Sequence, residues 1–354
     1  MLKDLIKQLE DGADLTEAQV AAVVEELTEE NVPVERKADF LTALNQKGET
    51  PAEIVAFARE LRGRAVHPEL SAAIRAREII DVCGTGGDRL HTFNISSTVS
   101  ILVCAAGVTV AKHGNRAVTS KAGSADVLER LGIPIDLGPE EAGQWLDRHG
   151  FAFFFAPRYH PAFKHIAPAR KLCSTRGGRT IFNYLGPLLN PAQPTAQLIG
   201  VPRPELCEPV AAALQQLGAR RGMVVSGQVR LAWLDEVSPM GETQIVEFIS
   251  SKGLLKSKQL PSAFPLQRCS LTDLKGGDAA TNAKIVRSIL AGEERGPKRD
   301  AVLLNAAAAL KVAGVVRFAA EGWELAAKLI DSGKAKAKLE ELVAAGAARP
   351  KAAA

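Results

Sequence analysis

The stretch Ile79-Ile80-Asp81-Val82-Cys83-Gly84-Thr85-Gly86-Gly87-Asp88 runs from an apolar start into a turn with three glycines in four positions. Glycines after a strand let backbone N–H groups turn inward and approach an anion with no Cβ in the way. The pattern predicts a strand over 79–82 that ends in a phosphate cradle. Thr92-Phe93-Asn94-Ile95-Ser96-Ser97-Thr98 follows, with hydroxyls and an amide suited to completing a phosphate or metal shell at the start of the next segment. Ala111-Lys112-His113-Gly114-Asn115-Arg116 then closes the apolar run from Ile101 to Ala111, where a buried strand would end. Open α/β sheets hold their ligands at that end. Alone, each piece has a plainer reading as a turn, an N-cap or a solvated loop. Their order and closeness favour one site.

Outward from this centre the pattern splits in two. Before it, Leu2, Leu5, Ile6 and Leu9 recur at helical spacing, and Thr16-Glu17-Ala18-Gln19 reads as a capping box ahead of Val20, Val23, Val24 and Leu27. Thr50-Pro51-Ala52-Glu53 repeats that signal ahead of Ile54, Phe57 and Leu61. From Ile79 onward, strand-like runs at 79–82, 108–111, 151–155, 198–201, 223–225 and 244–248 alternate with helical stretches such as 125–131, 139–149 and 279–290. The expected fold class is therefore α/β, a largely parallel sheet flanked by helices, beside a smaller all-helical domain over 1–72. The tail from 346 to 354 reads as frayed.

Composition excludes several classes. A chain of 354 residues with 46% hydrophobic content can bury a substantial core, and its net charge of +4 is small against 44 basic and 40 acidic side chains. No basic domain points to nucleic acid. The five cysteines are odd in number and lack any C-x-x-C pair, so neither a disulfide framework nor a zinc site is indicated. No signal segment or membrane-length apolar run is present, and a cytoplasmic protein without membrane partners is expected.

Taken together, Gly84-Thr85-Gly86-Gly87-Asp88, Asn94-Ile95-Ser96-Ser97, Lys112-His113-Gly114-Asn115-Arg116 and Ser120-Lys121-Ala122-Gly123-Ser124-Ala125-Asp126 closely resemble the anthranilate phosphoribosyltransferase family of the tryptophan pathway. Tyr159-His160-Pro161-Ala162, the run Arg179 to Ala192, and Leu234-Asp235-Glu236-Val237-Ser238-Pro239 extend the resemblance over nearly the whole chain. It implies Mg²⁺-dependent transfer of a 5-phosphoribosyl group from phosphoribosyl pyrophosphate to the amine of anthranilate. It also implies a homodimer, two Mg²⁺ per chain, a segment near 161–191 that returns to the helical domain, and an α/β domain over 76–160 and 192–345.

Negative charge on a leaving pyrophosphate calls for preorganised donors and a cation. Gly84, Gly87, Asp88, Thr92, Asn94, Ile95, Ser96, Ser97 and Lys112 form the expected donor set. The resemblance extends it over His113, Gly114, Asn115, Arg116, Ala117, Val118, Thr119, Ser120 and Ser124. It places the metal on Ser96, Asp235 and Glu236, and anthranilate on Gly84, Asn115 and Arg170, with His113 and His160 along the approach. No residue is assigned as acid or base.

The chain departs from the family in three places. The segment Lys171 to Gly178 is longer and brings in Arg176 as a rival to Arg170 for the substrate carboxylate. Ala122 replaces a serine, and Gln228 to Trp233 replaces a Gly-Asp-rich stretch. A pyrimidine nucleoside phosphorylase and a non-catalytic nucleic-acid-binding paralogue are the alternatives. The Lys112 to Arg116 run and Asp235-Glu236 speak against the first. The intact glycine loop and the missing basic face speak against the second.

Overall fold

The computed structural model describes residues 1–117, 121–250 and 252–349. Four helices open the chain, Leu2–Glu10, Glu17–Thr28, Val34–Lys47 and Pro51–Gly63. Both capping boxes form, at Thr16 with Gln19 and at Thr50 with Glu53. The buried Glu53 carboxylate also accepts from the Leu15 N–H at 2.9 Å and from Lys47 Nζ at 2.8 Å, so one side chain joins three segments. Leu5, Val24, Phe40, Leu44 and Phe57 meet in a core that also takes Ala169 and Cys173 from a later helix, Ala167–Thr175. That helix packs on Val34–Lys47. Lys37, buried between them, donates to the carbonyls of Glu29 and His165.

The rest of the chain builds one eight-stranded sheet. Its strands are β1 (Ile79–Gly84), β2 (Thr109–Gly114), β3 (Phe151–Phe155), β4 (Ala196–Gly200), β5 (Arg221–Val229), β6 (Ala232–Leu234), β7 (Thr243–Ile249) and β8 (Leu255–Gln259). The order is β3-β2-β1-β4-β5-β7-β8, with β6 paired to β5. The first five run parallel, and β6, β7 and β8 join antiparallel. Chain order reverses at β1, which has β2 on one side and β4 on the other. This switch point opens a crevice at the C-terminal strand ends.

The strand-like runs fall on β1 to β5 and β7 with shifted ends, but the apolar run from Ile101 to Ala111 is not one strand. Helix Ile95–Ala105 occupies its first half, Gly107 turns the chain at φ 88, and β2 begins at Thr109. Lys112 and His113 therefore lie within β2 and not beyond it. Helix and strand are both buried all round, so periodicity cannot separate them. The same physics hides helix Pro297–Val312, buried nearly all round against Ile95–Ala105 and Ala319–Asp331. At the C-terminus, helix Lys334–Ala347 enters the stretch expected to fray. Arg349 pairs there with Glu141 and with Asp136, both at 2.6 Å; 350–354 lie outside the described residues.

The fully buried Asn305 in that hidden helix holds the loop after β6. Its amide oxygen accepts from the Val237 N–H at 2.8 Å, and its Nδ2 donates to the Val237 carbonyl at 3.0 Å. Asn305→Leu keeps the branching at Cγ with somewhat greater bulk and strands both backbone groups. We expect a loss of about 3 kcal/mol, read as a lower urea midpoint at unchanged slope.

Candidate active site

The C-terminal ends of β1 and β2, the start of helix Ile95–Ala105 and residues between Phe163 and Leu189 enclose a cleft of about 420 Å³. Gly86 and Gly87 take φ of 75° and 83°, which only glycine adopts without strain. The Thr85 N–H donates to the Gly200 carbonyl at 2.9 Å, and the Gly86 N–H donates to Asp235 Oδ2 at 2.7 Å. Asp235 lies across the ends of β1 and β4. A Cβ at Gly84 would stand 2.2 Å from its Oδ2, and one at Gly200 would stand 1.6 Å from its carbonyl oxygen.

Three carboxylates neighbour one another here. Burial, then Asp88 and Glu236, push Asp235 well above the usual carboxylate range. Burial lifts Glu236 to about 8 against the opposing pull of Lys112, and its Oε1 accepts from the Ser96 N–H at 3.1 Å. Asp88 Oδ2 is buried with no hydrogen-bond partner among the described residues. The Ser97 hydroxyl is also buried and unpartnered at the first turn of the helix. Acidic oxygens short of positive charge fit a hard divalent cation. Mg²⁺ prefers such oxygen ligands, and because it keeps several of its waters it needs few of them from the protein.

Beneath lies a buried polar network. Asp81 accepts from the His113 N–H at 3.3 Å and from Asn190 Nδ2 at 2.8 Å, and burial raises its carboxyl to about 6. Lys112 donates to the Val82 carbonyl at 2.7 Å, and its charge acts on both Asp81 and Glu236.

The short turn Gly186–Leu189 has each of its four carbonyls held by a side chain. His113 Nδ1 stands 3.1 Å from Gly186 O, Gln197 donates to Pro187 O, Arg62 to Leu188 O, and His160 Nε2 stands 2.9 Å from Leu189 O. A carbonyl only accepts, so His113 carries its proton on Nδ1 and leaves Nε2 bare. That atom is buried without a partner among the described residues. Burial drives His113 down to about 3 and His160 to about 4, so both imidazoles are neutral near pH 7.

Arg170 packs its guanidinium 5.4 Å above the Phe182 ring, and no carboxylate pairs with it among the described residues. Phe163, Phe182, Pro187 and Leu189 give that end of the cleft apolar walls. Arg176 does not line the cleft and pairs with Asp39 at 2.8 Å.

Of the residues singled out in the sequence, Gly84, Gly87, Asp88, Thr92, Asn94 to Ser97, Lys112 to Ala117, Ser124, Arg170, Asp235 and Glu236 all line the cleft. Val118, Thr119 and Ser120 lie outside the described residues. Lining is not the same as being a free donor. Arg116 is held by Glu129 at 2.8 Å and Asp126 at 2.9 Å, and Asn94 accepts from Asn282 at 2.8 Å. His160 stands behind His113, not on the cleft. Sequence reasoning missed Arg89, His91, Phe163, Phe182 and Asn183 as lining residues. Phe182 and Asn183 sit in a motif already in view, whereas Arg89 and His91 carry no pattern signal.

Profiles of known families match both parts of the chain. The glycosyl transferase family a/b domain matches residues 76–336, and the glycosyl transferase family helical bundle domain matches residues 3–65. The anthranilate phosphoribosyltransferase of Geobacter sulfurreducens is 46% identical over 97% of this chain and 99% of that protein. That of Symbiobacterium thermophilum is 48% identical over 96% of each. The crystal structure of the Thermus thermophilus enzyme superposes with a TM-score of 0.86 at 41% identity, over 97% of this chain and 99% of that one. The Saccharomyces cerevisiae enzyme in complex with phosphoribosyl pyrophosphate and Mg superposes with a TM-score of 0.87 at 25% identity, over 98% of each chain. The chain belongs to the anthranilate phosphoribosyltransferase family.

Proposed function

We infer that this cleft transfers the 5-phosphoribosyl group of phosphoribosyl pyrophosphate to the anthranilate amine, releasing pyrophosphate. The observation that carries this reading is the pairing of two unsatisfied ends. Buried oxygens lacking cations lie beside a glycine loop at one end, and a guanidinium lacking a carboxylate lies over an aromatic ring at the other. The ribose C1–O bond to pyrophosphate breaks with its electron pair going to the diphosphate. The amine lone pair forms the new C1–N bond, and one proton then passes from that nitrogen to the released pyrophosphate or to water.

The backbone N–H groups of Gly87 and Asp88, together with the hydroxyl and N–H of Ser97 at the first turn of helix Ile95–Ala105, provide fixed donors for phosphate oxygens. Ser96, Asp235 and Glu236 would hold Mg²⁺, two ions per chain in this reading, and bound Mg²⁺ supplies positive charge for the leaving diphosphate. Arg170 grips the anthranilate carboxylate, and Phe163, Phe182 and Pro187 enclose the ring. Gly84 and Asn115 border the same slot. His113, locked as the Nδ1–H tautomer, offers Nε2 as a hydrogen-bond acceptor to the amine. An aromatic amine is neutral at pH 7, so positioning and leaving-group stabilisation suffice without a nucleophilic side chain. A homodimer through the helical unit belongs to this reading, with half-buried Ile6, Val32 and Val34 at the edge of its core. A light-scattering mass of two chains checks it.

Anthranilate fluorescence should disappear when phosphoribosyl pyrophosphate and Mg²⁺ are added. Asp235→Asn/Glu236→Gln should slow that loss on the order of a hundredfold or more. A wild-type protein that is folded yet leaves fluorescence unchanged would overturn the reading. Arg170→Ala should raise the KM for anthranilate at least about tenfold, while Arg176→Ala leaves it unchanged. Equal effects of the two would move the carboxylate site. Gly84→Ala drives a Cβ into the Asp235 carboxylate and to 3.0 Å from its backbone carbonyl, so turnover should fall on the order of a hundredfold and the melting temperature should drop with it.

A further inference from the structure

Beside the glycine loop the chain gathers positive charge that the reading above does not use. Arg89 lines the main cleft next to Thr85 to Gly87. Arg179 and Arg203 line a smaller pocket on the other side of the same three residues. Burial, then Arg203 and Arg89, disfavour the charge on Arg179, and Glu205 partly opposes them. Neither Arg89 nor Arg179 has an ion-pair partner among the described residues. Arg203 stands 3.7 Å from Glu205, beyond hydrogen-bond reach, and its Nε is buried and unpartnered. Glu49 and Arg203 also act on one another.

Arg89 is also held in a conformation that has to be maintained. Its φ is 60°, and that of His91 is 56°, two left-handed non-glycine residues in a three-residue span on the cleft wall. Such backbone strain persists where surrounding structure over-determines it, and it concentrates at ligand sites. Three guanidiniums beside one glycine loop, with Glu205 and Glu49 as the acids acting on them, leave excess positive charge that favours a multiply charged anion. The two sides come from different parts of the chain, Arg89 from the loop after β1 and Arg179 from the segment that follows helix Ala167–Thr175.

We propose that Arg89, Arg179 and Arg203 form an anion-binding rim around the glycine loop that takes the diphosphate end of the sugar-phosphate substrate and holds it during departure. The proposal rests on the functional reading above for the identity of that substrate. The rim adds side-chain charge to the backbone donors of the loop, and it is absent from the set of residues that the motifs suggested. Guanidiniums supply paired donors that match neighbouring phosphate oxygens.

The test is direct binding of inorganic pyrophosphate and of ribose 5-phosphate to the full chain with Mg²⁺ present, by calorimetry. The variants are Arg89→Gly, which suits the left-handed backbone, Arg179→Ala, and the pair combined. The double variant should weaken pyrophosphate binding about tenfold or more and leave ribose 5-phosphate within about twofold. Circular dichroism and melting temperature should match wild type. A folded double variant that binds pyrophosphate as wild type does, or that loses ribose 5-phosphate equally, overturns the proposal. Binding is read without turnover, so inactivity of the wild type toward anthranilate would sink the functional reading while this result still decides the rim.

Discussion

Asp235 occupies space that two other residues vacate, and the rest of the site follows from that. The ends of β1 and β4 pair Gly84 with Gly200, so the two glycines lie side by side at the switch point. Neither position has room for a Cβ, because the Asp235 side chain and backbone fill it. Once this carboxylate is wedged there, the Gly86 N–H has an acceptor, the loop to Asp88 is pinned, and Glu236 is delivered to the start of helix Ile95–Ala105. Burial of neighbouring carboxyls, opposed at Glu236 by Lys112, holds protons on Asp235 and Glu236 to higher pH than on an exposed acid. A cation binding there would displace those protons.

The turn Gly186–Leu189 solves a second problem. A helix end leaves carbonyls without intrahelical partners, and burying them unpaired costs free energy. Here the partners come from four elements: Arg62 from the helical unit, His113 from β2, Gln197 from β4, and His160 from the segment after β3. The contacts satisfy the backbone, and they also fix the tautomers of two imidazoles. They hold one wall of the cleft against both the sheet and the helical unit. His113 thus owes its bare Nε2 to a structural bond on its other nitrogen, which illustrates how a second partner sets the chemistry of a ring.

Much of this was legible in the sequence because each signal had a local cause. The capping boxes at Thr16 and Thr50 depend on four adjacent residues, and the glycine loop depends on its own φ angles, so both could be read without tertiary knowledge. The proposed metal role of Asp235-Glu236 needed the family resemblance, since adjacent acids usually face solvent. Helix Pro297–Val312 and the helix-to-strand division of Ile101 to Ala111 were hidden because burial on all sides erases the periodicity that marks an element. Arg176 shows the opposite limit. A sequence offers two arginines in one longer segment, and only packing reveals that one meets Asp39 while the other lies against Phe182 with no acid beside it.

A net charge of +4 conveys almost nothing about this cleft, because its electrostatics depend on separation and not on sum. Acids lie buried at the centre, guanidiniums stand around the glycine loop, and a lone guanidinium waits at the far, apolar end. On the proposed reading, an aromatic acid entering this field has one favourable orientation, carboxylate toward Arg170 and amine toward the sugar. A sugar diphosphate has one as well, with its charged end toward the loop and the cation. Opposed in this way, the two substrates meet with nitrogen facing C1, and the charges that order them are the charges that stabilise departure of the diphosphate. Orientation and leaving-group stabilisation then have a single physical origin. On the proposed reading no nucleophilic side chain is required, which is consistent with a neutral His113 on the cleft wall.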